Sequence, residues 1–243
     1  MSSKTFVLVH GVWHGGWCWS RVVDILRARG HRVTAPTLTG LGERSHLLSA
    51  DITLETFVAD IVRHIECEDL HDIVLVGHSF GGAPVTGVAD RIADRLASLI
   101  YFDGIMLKSG ETWFSLLPPE LAADRAALAE KTSGGVSLPP APAESFGVTR
   151  PEDRIFLESR LTPHPFATFT TSLDLKGPRV GNGLPAAYIH CTNPIYGPAN
   201  VALQRAQDFG WPVREIATGH DAMVTEPQAT ADLLENIAST LCQ

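Results

Sequence analysis

Four apolar residues, Ile73-Val74-Leu75-Val76, run directly into Gly77-His78-Ser79-Phe80-Gly81-Gly82, and a helical stretch to about Ala93 follows. A run that is apolar on both faces reads as a strand buried within a sheet. Strand, glycine-flanked serine and helix together demand one sharp reversal of the chain. Side chains at positions 77 and 81 would collide with neighbouring backbone, so glycine lets that turn close. The turn lifts the Ser79 hydroxyl above the sheet edge. There the N–H groups of a helix N-terminus face any negative charge that develops. A Gly-rich turn carrying an idle serine is the plainer reading of the pentapeptide, and the flanking strand and helix argue against it.

The same rhythm recurs along the chain. Phe6-Val7-Leu8-Val9 is expected to be a buried strand, followed by a helix over Trp17–Arg29 with Gly30 as its C-cap glycine. A strand over His31–Pro36, a helix over Thr53–Glu66, and strands at Leu99–Phe102, Ala186–Cys191 and Val213–Ala217 continue it. Helices over Pro198–Phe209 and Glu226–Leu241 close the chain. Short apolar runs alternating with helices predict an α/β fold, a mostly parallel sheet covered by helices. At 243 residues the chain suits one domain, 1–243, with room for an insertion. That insertion is expected at about 105–184, which lacks an apolar strand run and is broken by Pro118, Pro119, Pro139, Pro140 and Pro142. A bare loop of that length is uncommon, and Trp113, Phe114, Phe156, Phe166 and Phe169 favour a small helical cap over a surface excursion.

The formal net charge of −8 is spread thinly and does not invite nucleic acid. No apolar stretch reaches the length of a membrane span, and Met1–Thr5 does not have a signal-peptide layout. Cys18, Cys67, Cys191 and Cys242 form no CxxC pair and no zinc spacing, so reduced thiols, a cytoplasmic location and no metal are expected. Cys18, at a helix start, is expected near a pocket entrance with a depressed thiol pKa, or else buried in the core.

A serine hydroxyl needs a base. His220, after Gly219, lies between the last strand and the last helix, where the order nucleophile, acid, histidine places it; the bland alternative is a loop histidine. His10-Gly11-Val12-Trp13-His14-Gly15-Gly16-Trp17 follows the first strand. The N–H groups of Val12 and Phe80 are the expected oxyanion donors. The loop lacks both the Lys-Ser/Thr of a P-loop and the G-x-G-x-x-G spacing.

Taken together, His10-Gly through Trp19, Gly30-His31-Arg32-Val33-Thr34-Ala35-Pro36, Val76-Gly-His-Ser-Phe-Gly-Gly82, Leu161-Thr-Pro-His-Pro-Phe166 and Gly219-His220 resemble one group of proteins. These are the small α/β-hydrolases that include plant methyl-ester esterases and hydroxynitrile lyases, with bacterial relatives that hydrolyse pyrethroid esters or carbendazim. The resemblance covers most of the chain and is weakest over 107–158. It implies an α/β-hydrolase fold with a six-stranded core, a small helical cap and no metal or organic cofactor. It implies a serine carboxylesterase-type enzyme acting through an acyl-enzyme on a small to medium hydrophobic ester, with carbamate and amide bonds open. Trp13, Trp113 and Phe166 are the expected substrate contacts, each of which can equally be core. The partner is a small molecule, not nucleic acid or membrane; a homodimer stays open.

One position departs from the group. The plant members carry the triad acid after the strand corresponding to Ala186–Cys191, where this chain has Asn193, which cannot hold a negative charge. Asp103 is the expected replacement: it ends the strand after the nucleophile helix, at the carboxyl edge where sites form in open parallel sheets. Its alternative role is to cap the following turn. Asp221 is a poor candidate because neighbouring side chains diverge, and Asp174 lies in the cap. A hydroxynitrile-lyase reading would want threonine at Val12 and lysine at Asp221. A hydrolase-fold ligand receptor is the other alternative.

Overall fold

The computed structural model describes residues 3–177 and 179–241. Cys242, and Met1 and Ser2 of the N-terminal stretch weighed above, lie outside the described residues. The chain enters on β1, Thr5–Val9, buried beyond its first residue. A 3-10 turn over Gly16–Trp19 precedes α1, Ser20–Ala28, so the α-helix expected from Trp17 begins only at Ser20. The tight winding presses Gly16 against the next strand's exit; a Cβ there would lie 2.0 Å from the Ala35 carbonyl oxygen. Gly30 follows the helix at φ 88°, as its C-cap role requires. Strand β2 is only Arg32–Thr34, shorter than expected. It is an edge strand, and Pro36 has no N–H to extend a ladder.

Helix α2, Leu54–Cys67, starts where Thr53 N–H donates to Thr56 Oγ1 at 3.2 Å. It buries Leu54, Phe57, Val58, Ile61 and Ile65, one face at helical spacing. Then come β3, Ile73–His78, helix α3, Gly82–Arg91, and β4, Leu96–Phe102. Between β4 and the next sheet strand, the chain forms α4 (Pro119–Ser133), β5 (Ser137–Leu138), α5 (Pro151–Glu158), β6 (His164–Pro165) and α6 (Ala167–Thr170). Helices dominate this segment, as expected, but β5 and β6 pair antiparallel, an element the sequence reading lacked. Two residues per strand are too few to leave a period-two pattern. The chain closes with β7 (Ala186–Cys191), α7 (Asn200–Asp208), β8 (Val213–Ile216), α8 (Ala222–Thr225) and α9 (Pro227–Leu241).

Six strands form one all-parallel sheet in the order β2-β1-β3-β4-β7-β8. The chain moves outward one way from β1 to β2 and the other way from β1 to β3, so the strand order reverses at β1 and β3. The crevice at the carboxyl ends of such a pair is where ligands bind in open α/β sheets. Buried Phe6–Val9, Ile73–Val76 and Leu99–Phe102 make the sheet's middle. No described helix is long and apolar enough to cross a membrane.

Candidate active site

Ser79 follows β3 at φ 53°, a left-handed conformation that costs a β-carbon residue energy and that the surrounding packing must enforce. The enforcement is visible in the glycines. A Cβ on Gly77 would lie 2.8 Å from the Gly81 carbonyl oxygen, and one on Gly81 would lie 2.5 Å from that of His10. A Cβ on Gly11 would lie 2.6 Å from Ser79 Cβ and 3.1 Å from its hydroxyl oxygen, so the loop after β1 runs directly against the serine. The Ser79 carbonyl accepts from Ile105 N–H at 2.7 Å, which ties the elbow to the chain leaving β4.

Asp103 stands one residue past β4, also at positive φ, 45°, with its N–H on the Ile189 carbonyl at 2.7 Å. Its Oδ2 lies 2.7 Å from His220 Nδ1, and both side chains are buried. Asn193 is exposed, and its backbone N–H donates to the Thr218 carbonyl. The second Asp103 oxygen takes His190 Nδ1 at 3.3 Å and the Cys191 N–H at 3.4 Å. Burial pushes this carboxyl up, but the hydrogen bonds from His190 and His220 outweigh it and hold the group at about 2. An ionised Asp103 accepts the Nδ1 proton of His220 and leaves the lone pair on Nε2, which is buried with no hydrogen-bond partner among the described residues. That is the tautomer a general base needs.

Three further histidines frame the site, each neutral and each with a tautomer that its contacts dictate. His10 Nε2 accepts from Leu38 N–H at 3.1 Å, so its Nδ1–H donates to the Gly11 carbonyl. His78 Nε2–H donates to the His220 carbonyl at 3.0 Å, holding the His220 backbone to the elbow. Burial drives both rings down to about 3. His164 Nδ1 accepts from Trp13 N–H at 3.3 Å, so Nε2–H donates to Thr168 Oγ1. Burial keeps that ring far below its ordinary value too. The bond fixes Trp13, itself at φ 64°, next to Val12.

The expected substrate contacts lie as follows. Trp13 is buried, and its indole N–H donates to the Leu138 carbonyl at 3.0 Å, joining the β1 loop to the cap. The Phe80 ring points into the cap and meets Trp113, His164 and Phe169 with centroids 5.7, 5.4 and 5.3 Å away. Trp113 packs on Phe169 at 4.8 Å. Phe166 is half-buried and meets the Phe114 and Phe169 rings, with centroids 5.4 and 6.2 Å away. Cys18 is buried, with its thiol pushed well up by burial, so the pocket-entrance expectation is wrong and the core alternative is what the fold contains. The 3-10 turn that carries Cys18 aims it inward instead of at solvent.

Sequence reading missed four partners. His190 shares Asp103, His14 pairs with Asp221, the Tyr196 ring stacks on His220 with centroids 3.9 Å apart, and the Arg125 guanidinium lies 4.7 Å over the Trp113 ring. Each is a contact between residues distant in sequence, and none forms a local motif. Among the described residues there is no group of three or more His, Cys, Asp or Glu arranged to hold a metal. A surface depression of about 580 Å³ lined by Lys4, His71, Asp72 and Pro185 lies at the opposite, amino edge of the strands, away from Ser79.

Comparison with known proteins agrees with this architecture. The profile of the alpha/beta hydrolase family matches residues 6–233. A carbendazim hydrolyzing esterase from Nocardioides sp. (strain SG-4G) is 39% identical over 241 residues, covering 94% of this chain and 97% of that one. A pyrethroid hydrolase from Sphingobium wenxiniae is 38% identical over 115 residues, 46% of this chain and 40% of that enzyme. Among solved structures, an extracellular alpha/beta-hydrolase from a Paenibacillus species superposes with a TM-score of 0.84 at 25% identity, covering 96% of this chain and 98% of that one.

Proposed function

The chain belongs to the alpha/beta hydrolase family, and on that premise we propose that it is a serine carboxylesterase-type enzyme working through an acyl-enzyme. The observation that carries the reading is the buried 2.7 Å contact between His220 Nδ1 and Asp103 Oδ2, taken together with a serine held at φ 53° in the strand-to-helix turn. In this reading Ser79 Oγ attacks the ester carbonyl while His220 Nε2 takes its proton. The carbonyl oxygen becomes an oxyanion, held by the N–H groups of Val12 and Phe80. His220 then protonates the departing alcohol. Water, activated by the same nitrogen, attacks the acyl group and releases the acid and free Ser79. Asp103 stays ionised throughout and stabilises the imidazolium.

The substrate is a small to medium ester with an apolar part, supported by the Phe80, Trp113 and Phe169 cluster over the elbow. Carbamate hydrolysis belongs in the same proposal, because the relative similar over nearly its whole length is named for carbendazim. The cytoplasm is the proposed compartment, supported by Cys18, Cys67 and Cys191 standing free. A lyase reading wants a cation beside the base; the residue there, Asp221, is engaged with His14. The test is a panel of methyl, aryl and carbamate esters with purified protein and its Ser79→Ala variant. Multiple turnover by the first and none by the second is expected. Cyanide release from a mandelonitrile without ester turnover would replace this reading with the lyase.

A further inference from the structure

Arg125 is a cation with no carboxylate partner among the described residues, at the roof of the site. It stands on the inward side of α4, with Ala122, Ala126 and Ala129. Its guanidinium lies over the Trp113 ring, 4.7 Å from the centroid. It also faces the Tyr196 phenol, which burial pushes up and the guanidinium pulls back down. Tyr196 in turn stacks on the His220 ring at 3.9 Å, and Trp113 packs on Phe80 at 5.7 Å. Arg125 therefore bridges the ring that covers the base and the ring beside the elbow.

The guanidinium bonds the Tyr196 phenol, but that leaves one of its nitrogens over. Nη1 is buried and has no hydrogen-bond partner among the described residues. Arg150 and Arg154 of the cap pair with Asp153 and Glu144, each at 2.6 Å, and Arg160, which lies over the Phe156 ring, bonds the Phe156 carbonyl at 2.9 Å through its Nη1. Packing on Trp113 uses the face of the guanidinium and does nothing for the N–H groups around its edge. A buried donor left unpaired is a standing cost, larger for a charged group. The guanidinium fork matches planar oxygen acceptors, which it binds through parallel N–H bonds.

We propose that Arg125 is a substrate-recognition residue, and that the substrate carries a planar oxygen acceptor, a carboxylate or a carbonyl, remote from the bond that is cleaved. This rests on the ester-hydrolase reading above and narrows its substrate class. A purely aliphatic ester leaves Nη1 unpaired; an ester with an acceptor at its far end pairs it. Discrimination resides in binding, because the contact does not change as the scissile carbonyl becomes tetrahedral.

The test uses the Ser79→Ala protein, which binds without turnover. It is titrated by calorimetry with methyl esters matched in length and ending in alkyl, primary carboxamide or carboxylate groups, over a series of spacer lengths. At one spacer length the acceptor-ended esters are expected to bind at least about tenfold tighter than the alkyl-ended ester, as for charge-assisted pairing. In the double variant Ser79→Ala/Arg125→Met that ratio should fall towards one, and Arg125→Lys should retain part of it. Carboxamide and carboxylate arms distinguish a carbonyl from an anion. Equal affinities at every length, or a ratio that Arg125→Met leaves intact, would overturn the proposal. If Arg125→Met does not fold, the Arg125→Lys and Arg125→Gln pair decides the same ratio. Absence of hydrolysis by the wild type with the binding preference intact would sink the reaction assigned above and not this one.

Discussion

His14, on the loop after β1, and Asp221, next to His220, form a buried pair with Nε2 and Oδ2 3.0 Å apart. The His14 Nδ1 lies 2.6 Å from the Val12 carbonyl oxygen, which can only accept. With an acceptor at one nitrogen and a carboxylate at the other, the ring donates from both, so it is an imidazolium. Burial pushes His14 down, but Asp221 more than offsets that and raises it; burial pushes Asp221 up, and His14 with His78 and His220 brings it below its ordinary value. The pair joins the loop that offers Val12 to the loop that carries His220.

Removing one partner leaves the other charged and buried, which costs about 3–5 kcal/mol. Asp221→Asn and His14→Ala should each lower Tm by roughly 6–20 °C in a chain of this size. The sign with pH follows from the two shifts. The raised His14 contributes stability at low pH that is lost as pH rises through its folded value. The lowered Asp221 contributes stability above the ordinary carboxylate range that is lost as pH falls through its folded value. The Tm gap between wild type and Asp221→Asn should be widest between these limits and narrow at both ends. A gap that does not change with pH would mean the pair is not ionic.

Asp103 is held at about 2 against an ordinary 3.8. The depressed value makes its contribution, on the order of 2 kcal/mol, present above about pH 4 and lost as pH falls through about 2. Asp103→Asn should keep the fold near neutral pH yet cost on the order of 10⁴ in kcat, because the wrong His220 tautomer is held. Asn193→Ala should cost little. Steady-state kinetics on both variants checks this; comparable losses would move the acid to another residue.

A fluorophosphonate should label Ser79 in the wild type, and Ser79→Ala should abolish labelling and lower kcat by roughly 10⁴ to 10⁶. Intact-protein mass spectrometry reads the adduct. Equal labelling of both proteins would remove Ser79 from the nucleophile's role.

Gly11→Ala places a Cβ 2.6 Å from Ser79 Cβ. The protein should stay folded while kcat drops by about 10² through displacement of the hydroxyl. Kinetics and a melting curve together test this; an unchanged kcat would show that the elbow yields freely.

Among the described cysteines, Cys67 is exposed while Cys18 and Cys191 are buried with thiols pushed up by burial. Iodoacetamide should modify Cys67 in the native protein and reach Cys18 and Cys191 only after unfolding. Peptide mapping that finds Cys18 alkylated in the native state would contradict its placement.

The backbone conformation that short stretches of the chain encode was legible in the sequence. A strand apolar on both faces, glycines at 77 and 81 and a following helix constrain the backbone around Ser79 within one short stretch, so reading that stretch is enough. Ala186–Cys191 and the run beginning at Leu99 were readable for the same reason: each strand's own residues say it is buried. The placement of Asp103 was reachable by reasoning, because a residue just past a buried strand must emerge at the carboxyl edge of a parallel sheet. What no local pattern carries is which side chains meet across that edge. His190 shares the Asp103 carboxylate because β7 lies beside β4. His14 finds Asp221 because the loops after β1 and β8 fold over the same end of the sheet. Arg125 reaches Trp113 and Tyr196 only after α4 has docked on the core. Asp221 turns to His14 while its neighbour His220 turns to Asp103, since successive side chains in a loop diverge. Local backbone preference and burial are written residue by residue, whereas the pairing of charges inside a protein depends on how distant segments pack, and only the tertiary structure decided it.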